Sequence, residues 1–223
     1  MRLFAPKRLT FPDPRQALSG GIVDVSDNVS NERLLEAYSY GIFPWPQEGM
    51  PVLWFSPEPR GVLDFEDFHV SRSLQKFCRK TDFTVTFNHS FERVIEACAK
   101  SPRPLQEGTW ITPKLLSAYV EFHRAGYVHS LEVWSGAELV GGLYGVYVGG
   151  VFCGESMFFL QPNASKFAFV KLVEFLRGQG LGWMDIQMVT PVLEAFGGKY
   201  IARADFLKRL EQAKLRARSI SFV

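Results

Sequence analysis

VFCGESMFFLQPNASK, residues Val151–Lys166, leaves an apolar, Gly-rich run and enters a helix near Asn163. Val151–Cys153 has the apolar character of a strand. The residues after it bring one carboxylate (Glu155), one hydroxyl (Ser156) and the large side chains of Met157 and Phe158. A strand that exits ahead of a helix N-terminus is where α/β proteins tend to keep ligand sites, because free N–H groups face the exit. A tight turn packed with Met and Phe fits the same residues, and the segment alone favours that reading.

What flanks this stretch sets the architecture. Upstream, Ser130–Trp134 and Glu138–Val148 read as strands joined by Ser135-Gly136-Ala137, a hairpin signal, and Gly149-Gly150 turns the chain into Val151. Gly141, Gly142 and Gly145 inside the second strand predict bulges or a backbone closely approached by a ligand. Downstream come a helix over Asn163–Arg177 and a strand over Trp183–Met188. A short helix opens at Thr190-Pro191 and stops at Gly197-Gly198. A strand over Tyr200–Ala202 and a helix over Asp205–Ala217 complete the run.

Farther upstream, Gly21–Val25 is a short strand and Ser30 caps a helix over Asn31–Tyr40. Ser71 caps a helix through Lys80 whose buried stripe is Leu74, Phe77 and Cys78. Phe83–Phe87 alternates as a strand, and Ser90 caps a helix to Ala99. Thr112-Pro113 opens a helix that ends at Gly126, with Leu115, Leu116, Tyr119 and Phe122 inward. Pro density over Gly41–Pro46 and Leu53–Arg60 excludes a regular element, while the Trp and Phe there demand burial. The expected organisation is α+β. A small N-terminal domain with aromatic, Pro-rich loops (1–60) packs on an acetyltransferase-like (GNAT-like) α/β domain (61–223), whose mostly antiparallel sheet is broken by one helical crossover.

The chain of 223 residues is 47% hydrophobic, enough for a core, and its net charge of +2 confines any nucleic-acid contact to local patches. One such patch is the face carrying Arg72, Lys76, Arg79 and Lys80, with no acid between Asp67 and Asp82; it suits phosphates or a plainly solvated face. Cys78, Cys98 and Cys153 are odd in number and widely spaced, which argues against a disulfide framework. No Cys/His spacing resembles a zinc site, so no metal is expected. The longest uncharged run, between Glu138 and Glu155, is 16 residues. That is short of the roughly 20 a membrane span needs. The expectation is a cytoplasmic protein without a membrane partner.

Arg177-Gly178-Gln179-Gly180-Leu181-Gly182 matches R-x-x-G-x-G, the pyrophosphate loop of acetyl-CoA-dependent acetyltransferases. Such a loop should leave a strand and open a helix. Here it leaves a helix and enters a strand, so it reads as a helix C-cap and turn. Asp185 and Gln187 lie two apart on an apolar strand and point to one face, with Ile186 and Met188 directed to the core. A carboxylate and an amide in that setting are either a hydrogen-bonded structural pair or a functional one. Glu155 adds a second carboxylate, and Phe152 and Met157 are candidates for an apolar pocket beside it.

Five motifs then appear together and in order: Gly41-Ile42-Phe43-Pro44-Trp45, Trp54-Phe55-Ser56-Pro57, Glu107-Gly108-Thr109-Trp110-Ile111-Thr112, His129-Ser130-Leu131-Glu132-Val133-Trp134, and Phe152-Cys153-Gly154-Glu155-Ser156-Met157-Phe158 followed by Asn163-Ala164-Ser165-Lys166. From about residue 20 to about 210 the chain resembles the leucyl/phenylalanyl-tRNA–protein transferases. The resemblance implies transfer of Leu or Phe (less often Met) from aminoacyl-tRNA to proteins beginning with Arg or Lys, which marks them for the N-end rule pathway. It implies no cofactor, and the chain is expected to act as a monomer. Asp185 and Gln187 match the family's reaction centre, and Glu155 matches the residue that shapes the site. Leu143 and Phe152 match the aminoacyl pocket. Trp45 and Trp110 resemble the aromatics around the terminal adenosine. Ser156 and Thr190 fall within the same substrate-binding region. Thr190-Pro191 departs from relatives with a more polar Asn-Asp start.

The implied reaction is aminolysis of an ester, an activated acyl donor that requires no nucleoside triphosphate. Asp185 is expected to draw in the acceptor's ammonium and take or relay its proton. Gln187, a very weak base, is expected to accept a hydrogen bond from the amine and orient it.

Overall fold

The computed structural model describes residues 10–46, 49–102 and 109–222. Glu107 and Gly108 of the third motif lie outside them. After a 3-10 turn at Pro14–Gln16 come β1 (Ile22–Val25), α1 (Asn31–Ser39), β2 (Phe43–Trp45) and β3 (Leu53–Phe55). These three strands form an antiparallel sheet in the order β1-β3-β2. The passage expected to hold no regular element therefore carries two strands. Pro44 is tolerated because β2 is an edge, where a missing N–H breaks no ladder on the open side. Trp54, in the central strand, is fully buried.

Then follow β4 (Arg60–Asp64), α2 (Arg72–Lys80), β5 (Thr84–Phe87), α3 (Phe91–Lys100), α4 (Pro113–Arg124), β6 (Val128–Ser135), β7 (Glu138–Val148) and β8 (Val151–Phe159). The chain closes with α5 (Ala164–Gly178), β9 (Trp183–Gln187), α6 (Pro191–Ala195), β10 (Lys199–Ile201) and α7 (Arg203–Leu215). A second sheet of seven strands runs β10-β4-β9-β8-β7-β6-β5. Its neighbours are antiparallel except β8 and β9, which the crossover helix α5 joins in parallel. The α+β class agrees with the sequence reading, but the single crossover does not: besides α5, the chain crosses the sheet through α2 from β4 to β5 and through α6 over β4 from β9 to β10.

Helices cover both faces of this sheet. On one side α1, α3, α4 and α7 bury Leu34, Val94, Leu115 and Phe206 against Val128, Val146 and Phe158. On the other, α5 buries Phe167, Phe169, Leu172 and Leu176 against Leu131, Val140 and Leu143. Each such side chain contributes roughly 1.5–3 kcal/mol on burial. Side chains of Ser30, Ser71 and Thr112 cap their helices as expected. Ser90 precedes α3 but makes no side-chain cap bond. The Arg177–Gly182 run is a helix end and turn, with Gly180 at φ +83° and β9 beginning at Trp183.

Two local expectations change. The apolar run Val151–Cys153 predicts a strand that ends before Glu155, yet β8 continues to Phe159 and Glu155 lies inside it. The β7 glycines make room for packed protein. A Cβ at Gly141 would sit 2.6 Å from that of Ala164, and one at Gly145 would sit 2.4 Å from the Phe152 ring.

Candidate active site

The site grows from a gap in the large sheet. β8 and β9 are neighbours, yet one residue pair alone, Cys153 and Asp185, stands in register between them. Beyond it both strands bulge. The β7–β8 register passes from Gly145↔Gly154 to Tyr144↔Ser156, which leaves Glu155 as the extra residue. The β4–β9 register passes from Val62↔Asp185 to Gly61↔Gln187, which leaves Ile186 extra. Bulges re-aim side chains and shift the inward–outward phase. The phase change is visible in β8. Phe152 packs in the α5-side core and Cys153 in the opposite one, whereas after the bulge Met157 takes the α5 side and Phe158 the other.

Gln187 ends β9 with φ +59°, a left-handed conformation uncommon for a side chain of its size. Met188 N donates to Ile186 O at 2.6 Å, which closes a γ-turn on Gln187 of the rarer positive-φ kind. Gly61 admits this turn, since a Cβ there would stand 2.9 Å from the Met188 carbonyl carbon. The turn also brings Met188 out to 40% exposure, against the expectation that it joins the core.

Gly154–Met157 and Ile186–Met188 line a cavity of about 430 Å3. Its polar end is the pair Gln187–Glu155, with Gln187 Nε2 donating to Glu155 Oε1 at 2.8 Å. Tyr38 from α1 donates to the same oxygen at 2.8 Å, and Tyr119 from α4 donates to Oε2 at 3.3 Å. The two phenol oxygens also contact each other, and since each phenol has one proton this contact competes with the bonds to Glu155. Glu155 keeps some exposed surface while its carboxyl group lies deep in the protein. Burial pushes that carboxyl up to about 8, and the Asp185 charge adds to the rise. The Tyr38 and Tyr119 hydrogen bonds and Arg60 oppose it. Burial likewise raises both phenols well above their ordinary value.

Asp185 sits elsewhere. It is 0% exposed and does not line the cavity. Arg60 Nε and NH2 donate to its two oxygens at 2.9 and 2.6 Å, and the backbone N–H of Gln187 donates to Oδ1 at 2.9 Å. Buried and engaged in this way, Asp185 presents no atom to the cavity, whereas the sequence reading has it draw in an acceptor's ammonium. Phe152 is displaced as well. It is fully buried, packs 6.0 Å from the Phe222 ring and does not line the cavity.

The remaining expected residues converge. Trp45, Trp110, Leu143, Ser156, Met157 and Thr190 all line the cavity with Glu155 and Gln187. The Trp45 and Trp110 rings stand 6.0 Å apart, forming one aromatic wall. Leu143 faces Met157 across the β7–β8 pair. Phe169 and Leu172 from α5, Met184 and Leu193 complete the apolar lining. Arg72, Lys76, Arg79 and Lys80 lie exposed on α2 and outside the cavity lining.

Sequence reasoning missed Arg60, Tyr38 and Tyr119. The phenols sit in the apolar stripes of α1 and α4, where a buried hydroxyl needs a partner. Arg60 heads the apolar run Gly61-Val62-Leu63, and a cation there calls for a buried acid. Both signals are present in the sequence, but neither identifies the partner.

Family models match both parts of the chain: leucyl/phenylalanyl-tRNA protein transferase over residues 62–211 and the N-terminal domain of that protein over residues 27–58. A leucyl/phenylalanyl-tRNA–protein transferase of Pseudoalteromonas atlantica is 50% identical over 209 residues, covering 93% of this chain and 89% of that one. One from Anaeromyxobacter sp. strain Fw109-5 is 49% identical over 208 residues, covering 93% and 88%. The chain belongs to the leucyl/phenylalanyl-tRNA–protein transferase family. It is therefore an enzyme, and the family name carries aminoacyl-tRNA and protein as its substrates.

Membership of this transferase family accounts for the motif order. Among solved structures, the C-terminal domain of a putative lysylphosphatidylglycerol synthetase from Agrobacterium fabrum aligns over 83% of this chain and 70% of that one, at TM-score 0.42 and 12% identity. That likeness is too low to bear on the acetyltransferase-like part of the expected fold. No described helix is long and apolar enough to cross a membrane.

Proposed function

We propose that this transferase moves Leu or Phe, and also Met, from aminoacyl-tRNA to the N-terminal Arg or Lys of acceptor proteins, marking them for N-end rule degradation. The observation that carries the reading is a cavity of about 430 Å3 with largely apolar walls, into which the hydrogen-bonded pair Glu155 and Gln187 is set. The aminoacyl side chain fills the space among Leu143, Met157, Phe169 and Leu172. Burying Leu or Phe there is worth roughly 1.5–3 kcal/mol. The terminal adenosine lies against Trp45 and Trp110.

At the polar end the acceptor's neutral α-amine attacks the ester carbonyl carbon. A C–N bond forms, the C–O bond to the ribose breaks, the amine loses a proton and the ribose oxygen gains one. Gln187 spends its amide N–H on Glu155, and its amide oxygen accepts from the amine and orients it. Glu155 holds that amide in place and sits where a proton passes. Positioning of this kind is worth several kcal/mol, and about 7–11 at its limit. The α2 face of Arg72, Lys76, Arg79 and Lys80 takes the tRNA backbone without reading sequence.

On the same reading residues 1–60 form a small N-terminal domain and 61–223 an acetyltransferase-like one, and the enzyme works as a cytoplasmic monomer. The two family models abut between residues 58 and 62, which supports that division.

A panel of otherwise identical proteins beginning with Arg, Lys, Met or acetylated Arg tests the acceptor rule. With Phe-tRNA, the first two gain one Phe by mass and the others gain none. Equal modification of the Met-initiated protein contradicts the reading.

A further inference from the structure

Arg60 opens β4 and is 1% exposed, although it carries a full charge. Besides its two bonds to Asp185, its NH1 donates to Gly41 O at 3.0 Å. Its guanidinium lies between two rings, 4.8 Å from Phe43 on β2 and 4.4 Å from Phe206 on α7. One side chain thus joins the α1–β2 turn, β2, α7 and β9.

Stability alone does not explain such a residue. A buried ion pair replaced by apolar side chains of similar volume often leaves a protein as stable or more so. Geometry does explain it. Asp185, gripped from one side by the Arg60 fork, accepts the backbone N–H of Gln187 on the other. That N–H belongs to the positive-φ residue at the centre of the γ-turn. Conformations of this kind are unfavourable in isolation and persist where surrounding contacts over-determine them. Asp185 supplies one such contact, and Arg60 fixes Asp185.

We propose that Arg60 is a positioning residue of the transfer reaction: its two-pronged grip on Asp185 holds the left-handed turn at Gln187 and so aims the Gln187 amide at Glu155 and the acceptor amine. Neither Arg60 nor Asp185 lines the substrate cavity. The arrangement has a counterpart in α1, where Tyr38 hydrogen-bonds Glu155. The short segment from Tyr38 to Phe43 therefore sets both members of the reacting pair, one through Tyr38 and the other through Gly41 and Arg60. Asp185 acting as the proton acceptor is the competing role, and it requires a carboxylate oxygen within reach of the acceptor, whereas Asp185 is fully buried and outside the cavity lining.

The proposal rests on the transfer reaction proposed above, and a double-mutant cycle tests it. Arg60→Lys keeps the charge and loses the fork. Arg60→Met/Asp185→Leu removes the pair without leaving a buried charge unpaired, so folding survives even where Arg60→Met alone fails. Each change is measured in the parent enzyme and in Gln187→Ala. In the parent, kcat falls about tenfold with KM for Phe-tRNA within about twofold. In Gln187→Ala, the same changes alter kcat by less than about twofold, because the residue they position is gone. Equal losses in both backgrounds, or a rise in KM at constant kcat, overturn the proposal. A crystal structure of Arg60→Met/Asp185→Leu gives an answer independent of activity. Gln187 leaves the positive-φ region if the proposal holds and stays in it if the proposal is wrong. Absence of transfer by the parent enzyme counts against the reaction itself, and the crystal structure still decides the role of Arg60.

Discussion

Glu155 Oε1 accepts from Gln187 Nε2 at 2.8 Å, and the two residues belong to parallel strands that share a single register pair, Cys153 with Asp185. Each lies at or beside a bulge, Glu155 as the extra residue of β8 and Gln187 directly after the extra residue of β9. Without the two bulges, the pleat would send these side chains to other faces of the sheet. The site is therefore a product of two local breaks in regular pairing, held open by Gly61 and closed at the back by Arg60.

The pH dependence of stability follows from Glu155. Its carboxyl titrates near 4.5 when unfolded and is raised to about 8 by burial when folded. The folded state thus binds the proton more tightly, and the contribution is fully present below the unfolded value and lost as pH rises through the folded one. Glu155→Gln cannot ionise and lacks this loss. Thermal unfolding from pH 5 to 8.5 should show the variant gaining on the parent as pH rises. A constant difference contradicts the burial account.

Gly61→Ala tests the turn at Gln187 from the opposite strand. The added methyl meets Met188 backbone at 2.9–3.0 Å, so the end of β9 must move. Transfer should fall about tenfold or more through poorer alignment while KM for Phe-tRNA holds. Unchanged kcat would show that the amide's position is not critical.

Leu143→Phe narrows the apolar end opposite Met157. Overpacking of this kind costs about 1–3 kcal/mol. Phe transfer should drop about tenfold relative to Leu transfer in a competition assay, since the smaller side chain needs less of the space. A ratio equal to the parent's removes Leu143 from the selectivity wall.

Lys76→Ala/Arg79→Ala addresses the exposed face of α2. Removing each phosphate-binding cation should reduce the slope of log affinity against log salt by about 1, with similar weakening for different tRNA sequences. An unaltered slope places the tRNA on another surface.

Much of this fold is legible in the sequence because its signals are local. Ser71 and Thr112 act as caps where they are expected, and the β6–β7 hairpin and the α5 crossover follow from turn residues and periodicity. The site's membership is legible through motifs, which bring Trp45, Trp110, Leu143, Glu155 and Gln187 together, and all five line the cavity. What stays hidden depends on register. Pleat alternation predicts that Asp185 and Gln187 share a face, and a bulge at Ile186 separates them in role. The family resemblance assigns Phe152 to the pocket; the bulge at Glu155 does put Phe152 and Met157 on the same side of the sheet, yet Phe152 packs against Phe222 and only Met157 of the two lines the cavity. Arg60 is out of reach because its acid lies 125 residues away, on a strand whose neighbour the sequence does not name.

The most direct test incubates labelled Phe-tRNA with a protein that begins with Arg, in the absence of ATP, and compares the parent enzyme with Gln187→Ala. The account predicts that label passes to the protein's N-terminus with the parent and that the rate falls about a hundredfold with the variant. No transfer by the parent, or an equal rate from Gln187→Ala, contradicts it.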